Sequence, residues 1–212
     1  MQFINDLNYL TKKGITMDRG YDASHPQNGH GYGFIYNRYF SELNFKKILK
    51  VLEIGVSDRD SQIFWKLYFI QDYTHKEQSR IHIFQGNQAK RGDLQRFIDL
   101  HGSNFDIIID DGGHHQNQQQ ISFGFLFPHL KAGGLYICED LFTSHDSFRY
   151  PMFGWLKNYP SCKGLSALAM FKQLETYGIT DSYFMTRNEE KYIDKNIDCC
   201  KIEMQHIRNC FY

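Results

Sequence analysis

Apolar residues in this chain fall into short contiguous runs separated by stretches with helical spacing. The run Lys50–Val56 (Lys-Val-Leu-Glu-Ile-Gly-Val) reads as a first strand, followed by a loop at Ser57–Ser61. Between Gln62 and Phe69, Ile63, Phe64, Leu67 and Tyr68 recur at helical spacing and predict a crossover helix. Arg80–Gly86 alternates like a strand and ends at a turn, and Asp93–Leu100 predicts a short helix. Phe105–Asp111 then reads as a strand, 116–130 as a helix with Ile121, Phe125 and Leu126 inward, and Leu135–Cys138 as a further strand. Gly133-Gly134 reads as the stop of that helix. Ser166–Tyr177 looks helical, and Lys201–Tyr212 reads in part as an edge strand. Residues 1–40 form an irregular lead-in closed by a helix through Tyr36–Phe40.

Alternation of strand and helix at this spacing predicts one Rossmann-like α/β domain over 1–212, with a doubly wound, mostly parallel sheet in 41–212. The chain stops at Phe211-Tyr212 without a polar tail, which is what an excised piece of a longer protein would show.

Two of the predicted strands end in acid. Phe105-Asp-Ile-Ile-Ile-Asp-Asp111 runs into Gly112-Gly113-His114-His115, and Leu135-Tyr-Ile-Cys138 runs into Glu139-Asp140. Strands apolar on both faces meet solvent only at their ends, and ligands of open α/β sheets sit at the carboxyl ends. Several hard carboxylate oxygens beside one titratable imidazole point to metal-assisted chemistry rather than to a binding surface. For Asp110 or Asp111 alone, a helix or turn cap is the commoner use. Four acids on two strand ends with a histidine favour a site.

Composition narrows the partners. Lys+Arg and Asp+Glu both number 24, so no net field draws the chain to nucleic acid or to an anionic membrane. No apolar run is long enough to span a bilayer, and the five cysteines (138, 162, 199, 200 and 210) lack zinc spacing. An odd count with no signal-like N-terminus predicts reduced thiols and a cytoplasmic setting.

Four segments together resemble class I S-adenosylmethionine-dependent methyltransferases, specifically the metal-dependent O-methyltransferases of macrolide and rhamnosyl glycosides. They are Asp18-Arg19-Gly20 with His30-Gly31-Tyr32 and Tyr36; Val51–Val56 with Ser61 and Trp65; Ile109–His114 with Phe123, Leu126-Phe127-Pro128 and Leu130–Gly134; and Tyr136–Leu141 with Thr143-Ser144. The resemblance covers about two thirds of the chain. It implies S-adenosylmethionine as cofactor, Mg²⁺ or Mn²⁺ held by Asp111, Glu139 and Asp140, and His114 as the base that takes the proton of a sugar hydroxyl on a glycan or glycoside. An ordinary imidazole titrates at about 6.5, which suits that task. It further implies cofactor contacts from Glu53, Gly55, Ser57, Ser61, Asn87, Gln88, Asp110, Tyr32 and Tyr36. For Gly55 a tight turn, for Ser61 a helix cap and for the tyrosines packing are equal alternatives.

The chain departs from the family's pattern twice. The decapeptide Ile70–Ser79 is too polar for the buried second strand whose terminal acid binds the ribose, leaving Asp72 or Glu77 as stand-ins. The family's Gly-Asp-Gln is Gly86-Asn87-Gln88 here, which keeps hydrogen bonding and loses charge. Two other readings stay open: a binding or scaffold domain that has lost catalysis, and methylation of a catechol-like diol. The resemblance equally admits a homo-oligomer and a part of a multidomain glycan-modifying protein.

Overall fold

The computed structural model describes residues 32–40, 49–55, 82–141 and 165–203. They fall into two units. The first holds helix α1 (Tyr32–Phe40), where the Tyr36 and Phe40 rings pack at a tilt with centroids 5.1 Å apart and Arg38 pairs with Glu203. The second, residues 50–55 and 84–202, carries the sheet.

Within that second unit, strands β1 (Val51–Ile54), β2 (Phe105–Asp110) and β3 (Leu130–Cys138) lie side by side in the order β1-β2-β3, all parallel. The register is flush at the carboxyl ends, with Ile54 opposite Asp110 and Asp110 opposite Cys138. β2 is central because its apolar residues are contiguous: Ile107, Ile108 and Ile109 are all fully buried, as a strand covered on both faces requires. Ile108 packs with Leu94 and Ile98 of α2 (Arg91–His101) and with Ile121 and Leu126 of α3 (Gln116–Leu126). A second cluster joins Phe123 to Met170, Phe171 and Leu174 of α4 (Ala167–Tyr177) and to Ile193 of α5 (Arg187–Asn196).

Helix ends follow their sequence signals. Ser166 caps α4 by accepting from the Ala169 amide, and Gly178 closes that helix at φ 66°. Thr186 and Glu189 form a reciprocal capping box at the start of α5. Glu189 also receives Arg91 in a fork, Nε at 2.9 Å and a terminal nitrogen at 2.7 Å, which ties α5 to the start of α2.

Three expectations need correcting. Residues 82–86 are not strand, and residues 80–81 of that expected strand lie outside the described residues; Ile83 is largely exposed, while Phe84 packs on Phe97 and His101. α3 ends at Leu126 and passes through a 3₁₀ turn (Phe127–His129) containing Pro128, so Gly133-Gly134 is no helix stop. Those glycines form an irregularity inside β3, where Phe105 pairs with Leu130 but Ile107 pairs with Leu135. Gly133 takes φ 74° there, and Gly134 lies where an added Cβ would come 3.1 Å from the Asp106 carbonyl oxygen. Lys201–Glu203 are not strand, and the rest of the proposed C-terminal strand lies outside the described residues, as does the proposed helix at 62–69. Among the described residues no helix is long and apolar enough to cross a membrane.

Candidate functional site

The sheet register sets the site. The Asp111 amide donates to the Ile54 carbonyl at 3.0 Å, and the Glu139 amide donates to the Asp110 carbonyl at 2.9 Å. Both bonds prolong the ladder by one step, so the chains leaving β2 and β3 turn off side by side. His114 Nε2 then lies 3.8 Å from Asp111 Oδ1 and 3.5 Å from Asp140 Oδ2. One ligand atom from each of the three residues falls within 4.8 Å of the others. All three side chains are partly open to solvent.

These separations exceed an ordinary hydrogen bond of about 2.7–3.2 Å. Asp111 and Asp140 each bring a carboxylate oxygen within 4.8 Å of the other, hard donors of the kind a small divalent cation takes, with the imidazole of His114 beside them. His114 and Asp140 both adopt left-handed backbone angles, φ 54° and 56°. Non-glycine residues rarely hold that conformation, and where they do it commonly marks a functional site.

Gly55 fixes the approach of β1 to this turn. Its φ is 92°, and an added Cβ would stand 2.5 Å from the Asp111 carbonyl carbon and 2.6 Å from Gly112 Cα, with the Asp111 oxygen closer still. No side chain fits between the two strand ends. The residue is required by backbone contact, which is the turn alternative raised for it above.

Several expected site residues take other places. Glu139 is buried and lies outside the three-residue cluster, its carbonyl accepting from Gln119 Nε2 at 3.0 Å. The strand ends at Cys138, and Asp140, at a left-handed φ of 56°, stays partly open to solvent while Glu139 is buried. Asp110 is 1% exposed and does not reach the surface. Its carboxylate accepts from Ser122 Oγ, from Gln88 Nε2 at 3.0 Å, from the Tyr136 hydroxyl at 3.2 Å and from the Gly112 amide at 3.4 Å. A cofactor contact there would have to displace these donors; Asp110 instead props the turn from below. Burial pushes its carboxyl up, while the bonds from Ser122, Gln88 and Gly112 pull it down. Burial and the charge of Asp110 push the Tyr136 hydroxyl and the Cys138 thiol well above their ordinary ranges.

Gln88 is buried in the same network. Asn87 is exposed, and its Oδ1 accepts from the Ala89 amide at 2.9 Å while its own amide donates to Asp93 at 2.9 Å. That bond holds the Asp93 carboxyl below its usual value. Asn87 thus spends its side chain on a turn. Glu53 is half-buried in the middle of β1, opposite Ile109. Tyr32 opens α1, and Tyr36 is buried in that helix, both in the first unit. Ser57 and Ser61 lie outside the described residues.

The residues missed from sequence are amides and a hydroxyl. Gln118, Gln119, Gln120 and Ser122 hold the turn and the head of α3, and Gln119 and Gln120 are fully buried. Their signal was the run Gln116-Asn117-Gln118-Gln119-Gln120 directly before an apolar helix face, a place where polar residues face the core only when bonded.

No family model matches the chain. It is 34% identical over 185 residues to demethylmacrocin O-methyltransferase of Streptomyces fradiae, covering 80% of this chain and 43% of that protein. To mycinamicin VI 2''-O-methyltransferase of Micromonospora griseorubida it is 31% identical over 178 residues, covering 76% and 43%. Among solved structures it matches MycE methyltransferase from the mycinamycin pathway, in complex with Mg and SAH, at a TM-score of 0.65 and 29% identity. That match covers 93% of this chain and 52% of the other. The chain therefore spans about half the length of the proteins it resembles. In fold it is a class I methyltransferase, and in sequence and fold together it is a relative of the sugar O-methyltransferases of macrolide and tetracenomycin pathways.

Proposed function

We propose that the protein methylates a sugar hydroxyl of a glycan or glycoside, using S-adenosylmethionine and a divalent cation, Mg²⁺ or Mn²⁺. The observation that carries this reading is the meeting of Asp111, His114 and Asp140 at adjacent carboxyl ends of a parallel sheet. Asp111 and Asp140 would hold the cation. Glu139, next along the chain, completes the carboxylate set expected from sequence, with its carboxylate outside the described cluster. When bound, the cation supplies Lewis-acid polarisation of a hydroxyl, and the sulfonium supplies an electrophilic methyl group.

The chain's own part is positioning and proton transfer. The imidazole of His114 accepts the hydroxyl proton as the oxygen–carbon bond forms and the carbon–sulfur bond breaks, its electron pair passing to sulfur. Glu53, within β1, and Gly55, just past its end, are assigned to the methionine part of the cofactor, with Ser57 and Ser61 following. By the family resemblance Asn87 and Gln88 are assigned to the adenine, and Tyr32 and Tyr36 to cofactor contacts. The relatives are methyltransferases of demethylmacrocin, mycinamicin VI and a rhamnosyl tetracenomycin, which supports a glycoside acceptor. The odd cysteine count without zinc spacing supports a cytoplasmic setting, and the proposal extends to a homo-oligomer or a part of a multidomain glycan-modifying protein.

Calorimetry with S-adenosylhomocysteine, with and without Mg²⁺, tests the site, and turnover of a glycoside panel by His114→Ala tests the base. Heat with both ligands and loss of turnover in the variant are expected. Full turnover by His114→Ala, or in excess chelator, overturns the mechanism. One observation favours a second reading, a domain that binds without catalysis: Asn87 replaces a carboxylate and is committed to a turn. Absence of any heat with S-adenosylhomocysteine separates that reading from the first.

A further inference from the structure

His114 sits between two backbone amides that side chains hold. The Gly113 amide donates to Gln88 Oε1 at 2.9 Å, and the His115 amide donates to Gln118 Oε1 at 3.2 Å. The two glutamines come from opposite sides, Gln88 from the turn before α2 and Gln118 from the first turn of α3. Both are anchored in the core. Gln88 Nε2 donates to Asp110, and the Gln118 carbonyl lies 2.7 Å from Ser122 Oγ, whose single proton is shared between that carbonyl and Asp110.

The glycines beside the histidine make room for this arrangement. A Cβ on Gly112 would stand 2.8 Å from Gln88 Cδ, and one on Gly113 would stand 2.8 Å from Gln118 Cδ, with each amide oxygen nearer still. Neither glycine takes a left-handed angle, so backbone conformation does not require glycine at 112 or 113. What requires it is the close approach of the amides. His114 itself is left-handed, at φ 54°, an angle that persists only where its surroundings hold it.

We propose that Gln88 and Gln118 are positioning residues that clasp the backbone on either side of His114 and hold its imidazole level with Asp111 and Asp140. The proposal rests on the reading of that cluster as the cation and proton-transfer site. Partners that orient ligand residues in this way typically carry about 10–100-fold in metal affinity or activity.

The test uses the full chain, with Mn²⁺ as probe in calorimetry, amide hydrogen exchange at Gly113 and His115, and thermal unfolding alongside. Gln88→Leu is expected to speed exchange at Gly113, and Gln118→Leu at His115. Each is expected to weaken Mn²⁺ binding by about 10-fold or more. Gly112→Ala and Gly113→Ala displace only the flexible ends of the glutamines, so they keep the fold while weakening Mn²⁺ in the same way. Gln118→Glu retains an acceptor for the His115 amide at a helix start that favours negative charge, and it restores affinity. Glu189→Gln, a destabilised control far along the chain, leaves Mn²⁺ affinity unchanged.

Wild-type affinity in the leucine and alanine variants overturns the proposal, as does an affinity loss that merely tracks thermal stability and appears in Glu189→Gln. A wild-type protein that takes up no Mn²⁺ refutes the cation-site reading instead. In that case the clasp is upheld by faster exchange confined to the two amides, and overturned by unchanged exchange.

Discussion

Replacing Gly55 with alanine tests whether the join between β1 and the Asp111 turn sets the site. Two costs act at once. An L-residue at φ 92° is strained by roughly 1–2 kcal/mol. Its Cβ also meets the Asp111 carbonyl carbon at 2.5 Å and Gly112 Cα at 2.6 Å, where ordinary carbon contacts begin at about 3.5 Å, so the turn must move by about 1 Å. Overpacking of that kind costs about 1–3 kcal/mol, because backbone rather than a flexible side chain has to give. The sum, about 2–5 kcal/mol, is a large share of a stability of about 5–15 kcal/mol. At about 2–4 °C per kcal/mol for a chain of this size, Tm falls by roughly 4–20 °C. Gly178→Ala supplies the control: φ there is 66° and nothing lies within 4 Å of its Cβ, so it carries only the conformational cost. Displacing Asp111 by about 1 Å is also expected to weaken Mn²⁺ binding by about 10–100-fold, read at a temperature where both variants are folded. Scanning calorimetry and a Mn²⁺ titration of both variants decide the matter. If Gly55→Ala melts with Gly178→Ala and binds Mn²⁺ like wild type, the close-approach argument is wrong.

Three further outcomes follow from the second unit. Glu189→Gln loses one charge from the Arg91 fork and destabilises by about 1–3 kcal/mol, measured by urea unfolding. Burial opposes ionisation of Glu189, but Arg91 and the Thr186 amide more than offset it and hold the carboxyl below 4.5. A depressed folded value means the stabilisation is complete above 4.5 and is lost as pH falls through the folded value; the glutamine variant lacks that acid-side slope. Burial likewise holds His129, 2.8 Å from Ser103 Oγ, below 6.5, so stability declines as pH drops through 6.5 and beyond, and an NMR titration placing His129 above 6.5 contradicts this. Burial pushes the Cys200 thiol up to about 11, whereas its neighbour Cys199 is exposed, so maleimide labelling at pH 8 followed by mass spectrometry is expected to modify Cys199 first; equal labelling rates count against the packing of Cys200.

What could be read from the residues depended on how apolar they were. β2 and α4 announce themselves because Ile107–Ile109 are contiguous and Leu168, Phe171 and Leu174 repeat at helical spacing. α5 went unnoticed because Ile193 is its one buried apolar residue, and the Arg91 pair and capping box hold it otherwise. The Thr186-x-x-Glu189 spacing was the available clue. In the site, Asp111, His114 and Asp140 were legible as acids and an imidazole ending apolar runs. Which of Glu139 and Asp140 turns outward was not, because the left-handed angle at Asp140 breaks the simple alternation of a strand. Nor was the burial of Asp110, which depends on Ser122 and Gln88 arriving from distant segments.

The central strand has one more consequence, and it concerns the chain before it is folded. Phe105–Asp110 pairs with Val51–Ile54 across more than fifty residues of sequence, so its isoleucines wait exposed until distant partners close over them. Parallel sheets assemble slowly for this reason, and a bare β-branched triplet is a template for aggregation. Here Asp106 stands on one side of the triplet and Asp110 with Asp111 on the other. In the folded chain Asp106 receives Lys131 Nζ at 2.7 Å and the Lys50 amide at 2.7 Å, while Asp110 and Asp111 build the turn. Before folding, the same three carboxylates act as gatekeepers that keep strand edges from pairing between molecules. Neutralising them therefore threatens recovery of soluble protein before it touches any site.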